Sequence, residues 1–224
     1  MSARRPDPPR PPDERPEIDA DPHGSPLVDA EAAGRIGAEK PGQLGTRLIH
    51  DGRIVHLSVD HVRYPDGSDG ELELVRHSGA AAVVPVLGDP DATGPRDPDP
   101  EIVLLRQFRY AAGGDIYEIP AGRPDHPGEP WEDVAHRELE EETGYVARSM
   151  RRLTTIYTTP GFTDERIHLF SATGLSRGET SLDDDEFVEV LARPVSEVLE
   201  MIHDGRIVDA KSLAALLYFA TFQT

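Results

Sequence analysis

The stretch Pro130-Trp-Glu-Asp-Val-Ala-His-Arg-Glu-Leu-Glu-Glu-Glu-Thr-Gly144 decides how this chain is read. Pro130 suits a first helical position, Glu132 and Asp133 put negative charge in a first turn, and Gly144 can take the left-handed conformation that ends a helix. At about 100° per residue from Trp131, Val134, Trp131, Ala135 and Leu139 fall near 300°, 0°, 40° and 80°, whereas Glu138 and Glu142 fall near 340° and 20°. Two acids therefore interrupt the apolar arc, while Glu132, Asp133, His136, Arg137 and Glu140 occupy the wet side. Carboxylates at i, i+3 and i+4, here Glu138, Glu141 and Glu142, repel one another unless a cation sits among them. Partly buried carboxylates are retained when they are paired or bind metal. The spacing fits a divalent metal site, for which hard oxygen ligands suit Mg2+ or Mn2+, or an ion-pair network with Arg137.

Together with its approach loop, Gly122-Arg-Pro-Asp-His-Pro-Gly-Glu129 followed by Arg137-Glu-Leu-Glu-Glu-Glu-Thr-Gly-Tyr145, this stretch resembles the Nudix box, G-x5-E-x7-R-E-U-x-E-E-x-G-U with U a bulky apolar residue. Glu129 and Arg137 have the required spacing, and Arg137, Glu138, Leu139, Glu141, Glu142 and Gly144 match position by position. Six residues intervene between Gly122 and Glu129 where the pattern has five, and Tyr145 replaces the usual aliphatic residue. Further segments narrow the resemblance to the ADP-ribose pyrophosphatase branch: Leu105-Arg-Gln-Phe-Arg-Tyr110, Glu118-Ile-Pro-Ala-Gly122, Thr159-Pro-Gly-Phe-Thr-Asp-Glu165 with Pro160 sixteen residues past the box glycine, and Asp185-Glu-Phe-Val-Glu-Val190.

The resemblance implies a metal-dependent hydrolase, an enzyme, that cleaves ADP-ribose to AMP and ribose 5-phosphate with Mg2+, or Mn2+, as cofactor. It implies metal ligands in Glu138, Glu141, Glu142 and the Ala121 carbonyl, and a phosphate contact from Arg109. Arg106 is a second candidate there, or a surface arginine. Arg137 either orients the acids through Glu129 or pairs with Glu141 one turn on. The resemblance also implies a general base on the loop Leu182-Asp-Asp-Asp-Glu-Phe187, where Glu186 matches best and Asp183, Asp184 and Asp185 are rivals; the alternative is a solvated acidic loop with no catalytic role. Glu165 is a candidate for holding a water or the ribose, or an acid at a strand start. The same-class alternative substrate is another nucleoside-diphosphate sugar such as GDP-mannose. A non-catalytic module that senses ADP-ribose is the alternative from another class, and such a module should have lost box carboxylates that this chain keeps.

Composition sets the remaining bounds. The 224 residues carry a formal charge of −19 and no cysteine. That charge leaves no basic stripe for nucleic acid or an anionic membrane, and the missing thiols exclude disulfides and thiol catalysis. No segment has the apolar length of a membrane span or a signal h-region, so a cytoplasmic location is expected. The nine histidines show no ligand spacing.

Residues 1–44 hold nine of the 21 prolines and no aromatic residue, the composition of a disordered tail. Residues 45–78 carry a hairpin signal: alternating Val55, Leu57 and Val59, a Pro65-Asp-Gly67 turn, and a second run from Glu71 to Val75. The resemblance implies that these strands form a small antiparallel subdomain, often exchanged in a homodimer. Residues 79–224 read as one layered α/β domain, by resemblance the Nudix α/β/α sandwich with a mixed sheet. Its strands are Ala80 to Leu87, Glu101 to Phe108, Arg152 to Thr158, Arg166 to Ser171 and Phe187 to Leu191. Its helices are the box helix, Val195 to His203, and Ala210 to Thr221 with Asp209 as N-cap. Removing residues 1 to 40 should leave kcat and the thermal midpoint nearly unchanged; a fall of more than about 5 °C in a calorimetric scan would show that the segment is docked.

Overall fold

The computed structural model describes residues 40–88, 97–178 and 187–222. Three strands come first, β1 (Gln43–Asp51), β2 (His56–Arg63) and β3 (Asp69–Arg76), antiparallel in that order. The expected hairpin is thus β2 and β3. β1 precedes it, beginning inside the segment whose composition reads as tail, because Thr46, Leu48 and their neighbours find ladder partners in Asp60 and Ser58.

The rest of the chain builds two sheets. Strands β4 (Ala80–Pro85), β7 (Ala121–Gly122), β8 (Tyr145–Tyr157) and β9 (Arg166–Arg177) form a mixed sheet ordered β7-β4-β9-β8, in which β4 and β9 are parallel. Strands β5 (Glu101–Arg109), β6 (Gly114–Glu118) and β10 (Val188–Pro194) form an antiparallel sheet ordered β10-β5-β6. Helices α1 (Trp131–Thr143), α2 (Val195–His203) and α3 (Ala210–Phe222) complete the fold.

The side-chain alternation of β4 sets the layers. Ala80, Ala82 and Val84 pack with Ile102 and Leu104 of β5 and with Val198, Met201, Leu216 and Phe219 of α2 and α3. Ala81 and Val83 look the other way, onto Val134, Ala135 and Leu139 of α1 and Phe170 and Ala172 of β9. Both faces are therefore covered, as the continuous apolar run requires. The result is an α/β sandwich with a mixed sheet and a small antiparallel N-terminal sheet.

Helix α1 runs from Trp131 because Pro130, extended at φ −60°, ψ 135°, stands just outside as N-cap. Gly144 ends it at φ 67°, ψ 24°, with its N–H donating to the Glu140 carbonyl at 2.8 Å. In α3 the Asp209 carboxylate accepts the Ser212 N–H at 3.0 Å and the Ser212 hydroxyl at 2.6 Å, so it caps that helix. β8 is an edge strand paired only with β9, and it starts at Tyr145 rather than near Arg152. Arg148, Ser149 and Arg151 are exposed along it, so its first half lacks the apolar run that marks a buried strand.

The N-terminal sheet is tied to the loop before β9. Val75 N–H donates to the Phe162 carbonyl at 2.8 Å, and the Asp164 carboxylate accepts the His77 N–H at 2.8 Å. Arg76 bridges the buried Asp60 to Asp164, and Lys40 reaches Asp164 at 3.3 Å.

Beneath the start of α1, Trp131 stacks on His168 of β9 with ring centroids 4.2 Å apart. Thr155 Oγ1 lies 2.9 Å from His168 Nδ1, and His168 is 3% exposed. Burial pushes the imidazole down to about 4, and the charges of Arg152 and Arg166 add to the shift. Between pH 6.5 and 4 the unfolded chain takes up a proton that the folded chain refuses, so this stability is whole above 6.5 and is lost as pH falls. The stability advantage of wild type over His168→Gln should shrink by up to about 1.4 kcal/mol per pH unit in that window. Urea denaturation of both proteins at several pH values checks it, and a constant difference would refute it.

Candidate active site

The two acids that interrupt the apolar arc are buried: Glu138 is 9% exposed and Glu142 3%. Both back onto the short segment that contains β7. Glu142 Oε2 accepts the Ala121 N–H at 3.0 Å. Glu138 lies so close to Gly122 that a Cβ there would fall inside its carboxylate. A side chain at 122 would therefore have to displace the Glu138 carboxylate, while the backbone φ of Gly122 is not in the left-handed region.

Arg137 sits among the acids. Its Nη1 donates to Glu138 Oε1 at 2.8 Å and to Glu141 Oε2 at 3.0 Å, and its Nη2 donates to the Arg123 carbonyl at 2.7 Å. Its buried Nε lies 3.3 Å from Asp125 and 3.5 Å from Glu129 without a hydrogen bond. Burial opposes the charge on this guanidinium, but Glu138 and Glu141 outweigh it and raise Arg137 further above its ordinary range. Arg137 thus lies near Glu129 and pairs with Glu141. Glu129 in turn accepts the Asp125 N–H at 2.7 Å, which fixes the approach loop.

A second charged centre stands beside the first. Glu118, 2% exposed, takes a two-pronged hydrogen bond from Arg109 at 2.7 and 3.0 Å and an ion pair from Lys211 of α3. Lys211 also reaches Asp209 at 2.9 Å. Burial pushes the Glu118 carboxyl up, yet Arg109 and Lys211 prevail and hold it below its usual range. Arg109 is raised, first by its bond to Glu118, against burial, with the charges of Glu118, Glu142 and Asp209 adding. Glu118 stands three residues before Ala121, whose N–H donates to Glu142, so the phosphate candidate and the acid cluster share one region.

The other expected residues are spread more widely. Arg106 lies on the opposite face of β5 from Arg109, exposed and paired with Asp115 at 2.8 Å and Glu189 at 3.4 Å. Glu165 stands by the N-terminal sheet, where it accepts from Thr158 Oγ1 at 2.9 Å and lies 3.3 Å from His77 Nδ1. Glu186 and its rivals Asp183, Asp184 and Asp185 lie outside the described residues. The sequence reading had no role for Lys211 or for Glu118. Their pairing joins positions 93 residues apart, and no local pattern signals it.

Among the described residues, no three His, Asp or Glu side chains converge as a ready metal cage. The donor chemistry still fits a divalent cation. Glu138 and Glu142 present buried hard oxygens beside the Ala121 backbone, and Gly122 leaves room for the Glu138 carboxylate in its present position. Arg137 supplies the positive charge between Glu138 and Glu141.

The acid cluster thus sits on a helix packed against a mixed sheet. The family described as NUDIX domain matches residues 79–216, and the chain belongs to the Nudix family of hydrolases. It is 40% identical over 187 residues to the methanol dehydrogenase activator of Bacillus methanolicus, covering 83% of this chain and 94% of that protein. It is 38% identical over 172 residues to the ADP-ribose pyrophosphatase of Bacillus subtilis (strain 168), covering 76% and 87%. A solved structure described as an ADP compounds hydrolase superposes with a TM-score of 0.66 at 18% identity, over 80% of this chain and 91% of that one, a likeness of fold.

Gly122→Ala should displace Glu138 and lower kcat by about 10²-fold while the far-UV circular dichroism stays unchanged. A near-normal kcat would show that the seat of Glu138 on Gly122 is dispensable.

Proposed function

We propose that this protein hydrolyses ADP-ribose to AMP and ribose 5-phosphate with the help of Mg2+ or Mn2+. The observation that supports this best is the seating of Glu138 and Glu142 on the Ala121–Gly122 backbone, with Arg109 held nearby by Glu118. The match to an ADP-ribose pyrophosphatase runs over 172 residues, against 129 for GDP-mannose pyrophosphatases of the same 38% identity, which favours ADP-ribose as substrate. Glu138, Glu141, Glu142 and the Ala121 carbonyl would hold the cation. When bound, it neutralises charge on the pyrophosphate and makes a water more acidic.

The chain's own residues do the rest. Glu118 takes Nε and Nη2 of Arg109, which leaves Nη1 of the fork to meet a phosphate oxygen. Arg137 offsets the crowding of Glu138 and Glu141 by pairing with both. Glu186, or one of Asp183 to Asp185, takes a proton from the attacking water. The water oxygen bonds to phosphorus, and the bridging P–O bond breaks toward the other phosphate. Glu165 would hold a water or the ribose.

We further infer a homodimer acting in the cytoplasm. Leu44, Leu48 and Ile49 of β1 and Leu72 of β3 are exposed on the N-terminal sheet, an apolar surface that suits a second copy. No helix among the described residues is long and apolar enough to cross a membrane.

A second reading is favoured by the 40% identity with a methanol dehydrogenase activator: the hydrolase serves to activate an alcohol dehydrogenase. Methanol oxidation by a methanol dehydrogenase, assayed with and without this protein, decides that point.

In a substrate panel with products separated by chromatography, ADP-ribose should have the highest kcat/KM, AMP and ribose 5-phosphate should be the only products, and chelator should abolish turnover. Faster release of phosphate from nucleoside triphosphates would overturn the assignment. In the same assay Glu142→Gln should be inactive, while its metal-free midpoint holds or rises because acid crowding is relieved. Strong destabilisation without metal would instead make Glu142 a structural ion-pair partner.

Glu186→Gln should lower kcat by about 10² to 10⁴ without weakening substrate binding. Normal rates in it and in Asp183→Asn, Asp184→Asn and Asp185→Asn would remove that loop from the reaction.

A further inference from the structure

The first turn of α3 meets the segment before β7 at two adjacent points. The Lys211 ammonium pairs with the Glu118 carboxylate, and one residue on, Ser212 Oγ accepts the Ile119 N–H at 2.9 Å. Asp209 gathers both, taking the Lys211 ammonium at 2.9 Å and the Ser212 hydroxyl at 2.6 Å. Lys211 stands where a cation is disfavoured twice. A positive charge in a first helical turn opposes the helix dipole. A lysine side chain only 11% exposed has also lost most of its water. Its two carboxylates offset both costs.

Beyond Glu118 stands Arg109. In the register of β5 and β6, Glu118 lies beside Leu105 and Arg109 beside Gly114, so the guanidinium is drawn back along β5 to reach its partner. The Arg109 side chain is 42% exposed, and a long chain with that much room has many rotamers to choose from. Glu118 narrows the choice by taking Nε on Oε1 and Nη2 on Oε2. Oε2 also takes the Lys211 ammonium. The last torsion of a glutamate is soft, but this carboxylate is gripped from two directions and cannot turn without breaking one pair. Burial pushes the Glu118 carboxyl up, and Arg109 first, then Lys211, bring it below its usual range. The lysine thus favours the charged acceptor that the fork needs.

We propose that Lys211 is a positioning residue for phosphate binding: by locking the Glu118 carboxylate it aims the Arg109 fork, and it touches no substrate itself. This rests on the reading of the site as a nucleoside-diphosphate-sugar hydrolase in which Arg109 meets a phosphate. The ammonium is committed to Glu118 and Asp209, whereas Nη1 of Arg109 stands outside the Glu118 pair. A fork held in advance loses less freedom when the anion binds, so the effect of Lys211 belongs to substrate affinity.

The test measures kcat and KM for ADP-ribose in wild type, Lys211→Met, Arg109→Ala and the double variant, with the thermal midpoint of each beside them. Lys211→Met should lower kcat/KM by about tenfold, chiefly through KM. In the Arg109→Ala background the same change should alter kcat/KM by less than about twofold, because a residue that acts through Arg109 has nothing left to aim. A lysine that only holds the fold would give the same loss in both backgrounds, and that result overturns the proposal. So does an unaltered Lys211→Met, or a fall confined to kcat. If a Lys211→Met protein is unfolded at the assay temperature, Lys211→Gln takes its place under the same expectations. A normal KM in Arg109→Ala removes the phosphate contact and this proposal with it. If wild type cleaves no nucleoside-diphosphate sugar, the reading of the site itself falls, and the proposal falls too; an active wild type with equal losses in both backgrounds overturns the proposal alone.

Discussion

The contact on which the rest of the site depends is that of the Glu138 and Glu142 carboxylates with the backbone at Ala121 and Gly122. Ionised groups this deep are tolerated only with compensation. One part comes from the Ala121 N–H and another from Arg137, which reaches Glu138 and Glu141 with a single nitrogen. The arrangement couples α1 to β7, and β7 to β4 through the Ala81 and Ala82 pairing. A helix that carried its acids on the wet side would need none of these constraints. It would also place no oxygens at the strand ends, where the substrate has to be handled.

The parts that were legible in the sequence are those set by periodicity and local chemistry. The limits of α1 follow from Pro130 and Gly144, its two buried acids follow from the 100° wheel, and α2 has its expected bounds because Val195, Val198 and Ile202 repeat at helical spacing. The two-faced burial of β4 follows from its unbroken apolar run. What stayed hidden depends on partners far along the chain. β1 is exposed along nearly its whole length, so it has no alternation to betray it. β7 is two residues long and exists through pairing with β4.

The site divides in the same way. Arg137 with its acids is written within one helical turn, whereas the Glu118 centre needs β5, β6 and α3 brought together. Glu118 sits in the Glu-Ile-Pro-Ala-Gly stretch that carries the resemblance, yet nothing local says that Lys211 will meet it. Arg106 and Arg109 look alike in sequence, but three residues on a strand turn them to opposite faces. One ends in an exposed pair with Asp115 and the other on the buried Glu118.

Charge balance carries the last step. Among the described residues, Glu118, Glu129, Glu138, Glu141 and Asp209 pair with or lie close to Arg109, Arg137 and Lys211, so each of those cations already faces at least one carboxylate. In a chain of formal charge −19, this region attracts cations and repels an anionic substrate at long range. A pyrophosphate therefore cannot be drawn in by the protein's own field, as it would be in a basic cleft. Its binding has to depend on contacts made at short range, where one correctly aimed guanidinium counts for more than net charge. On the proposed reading, that requirement gives the phosphate contact to Arg109, which is held by both prongs to a buried acid. A fixed fork keeps its remaining donor aimed and loses less freedom when a phosphate oxygen arrives.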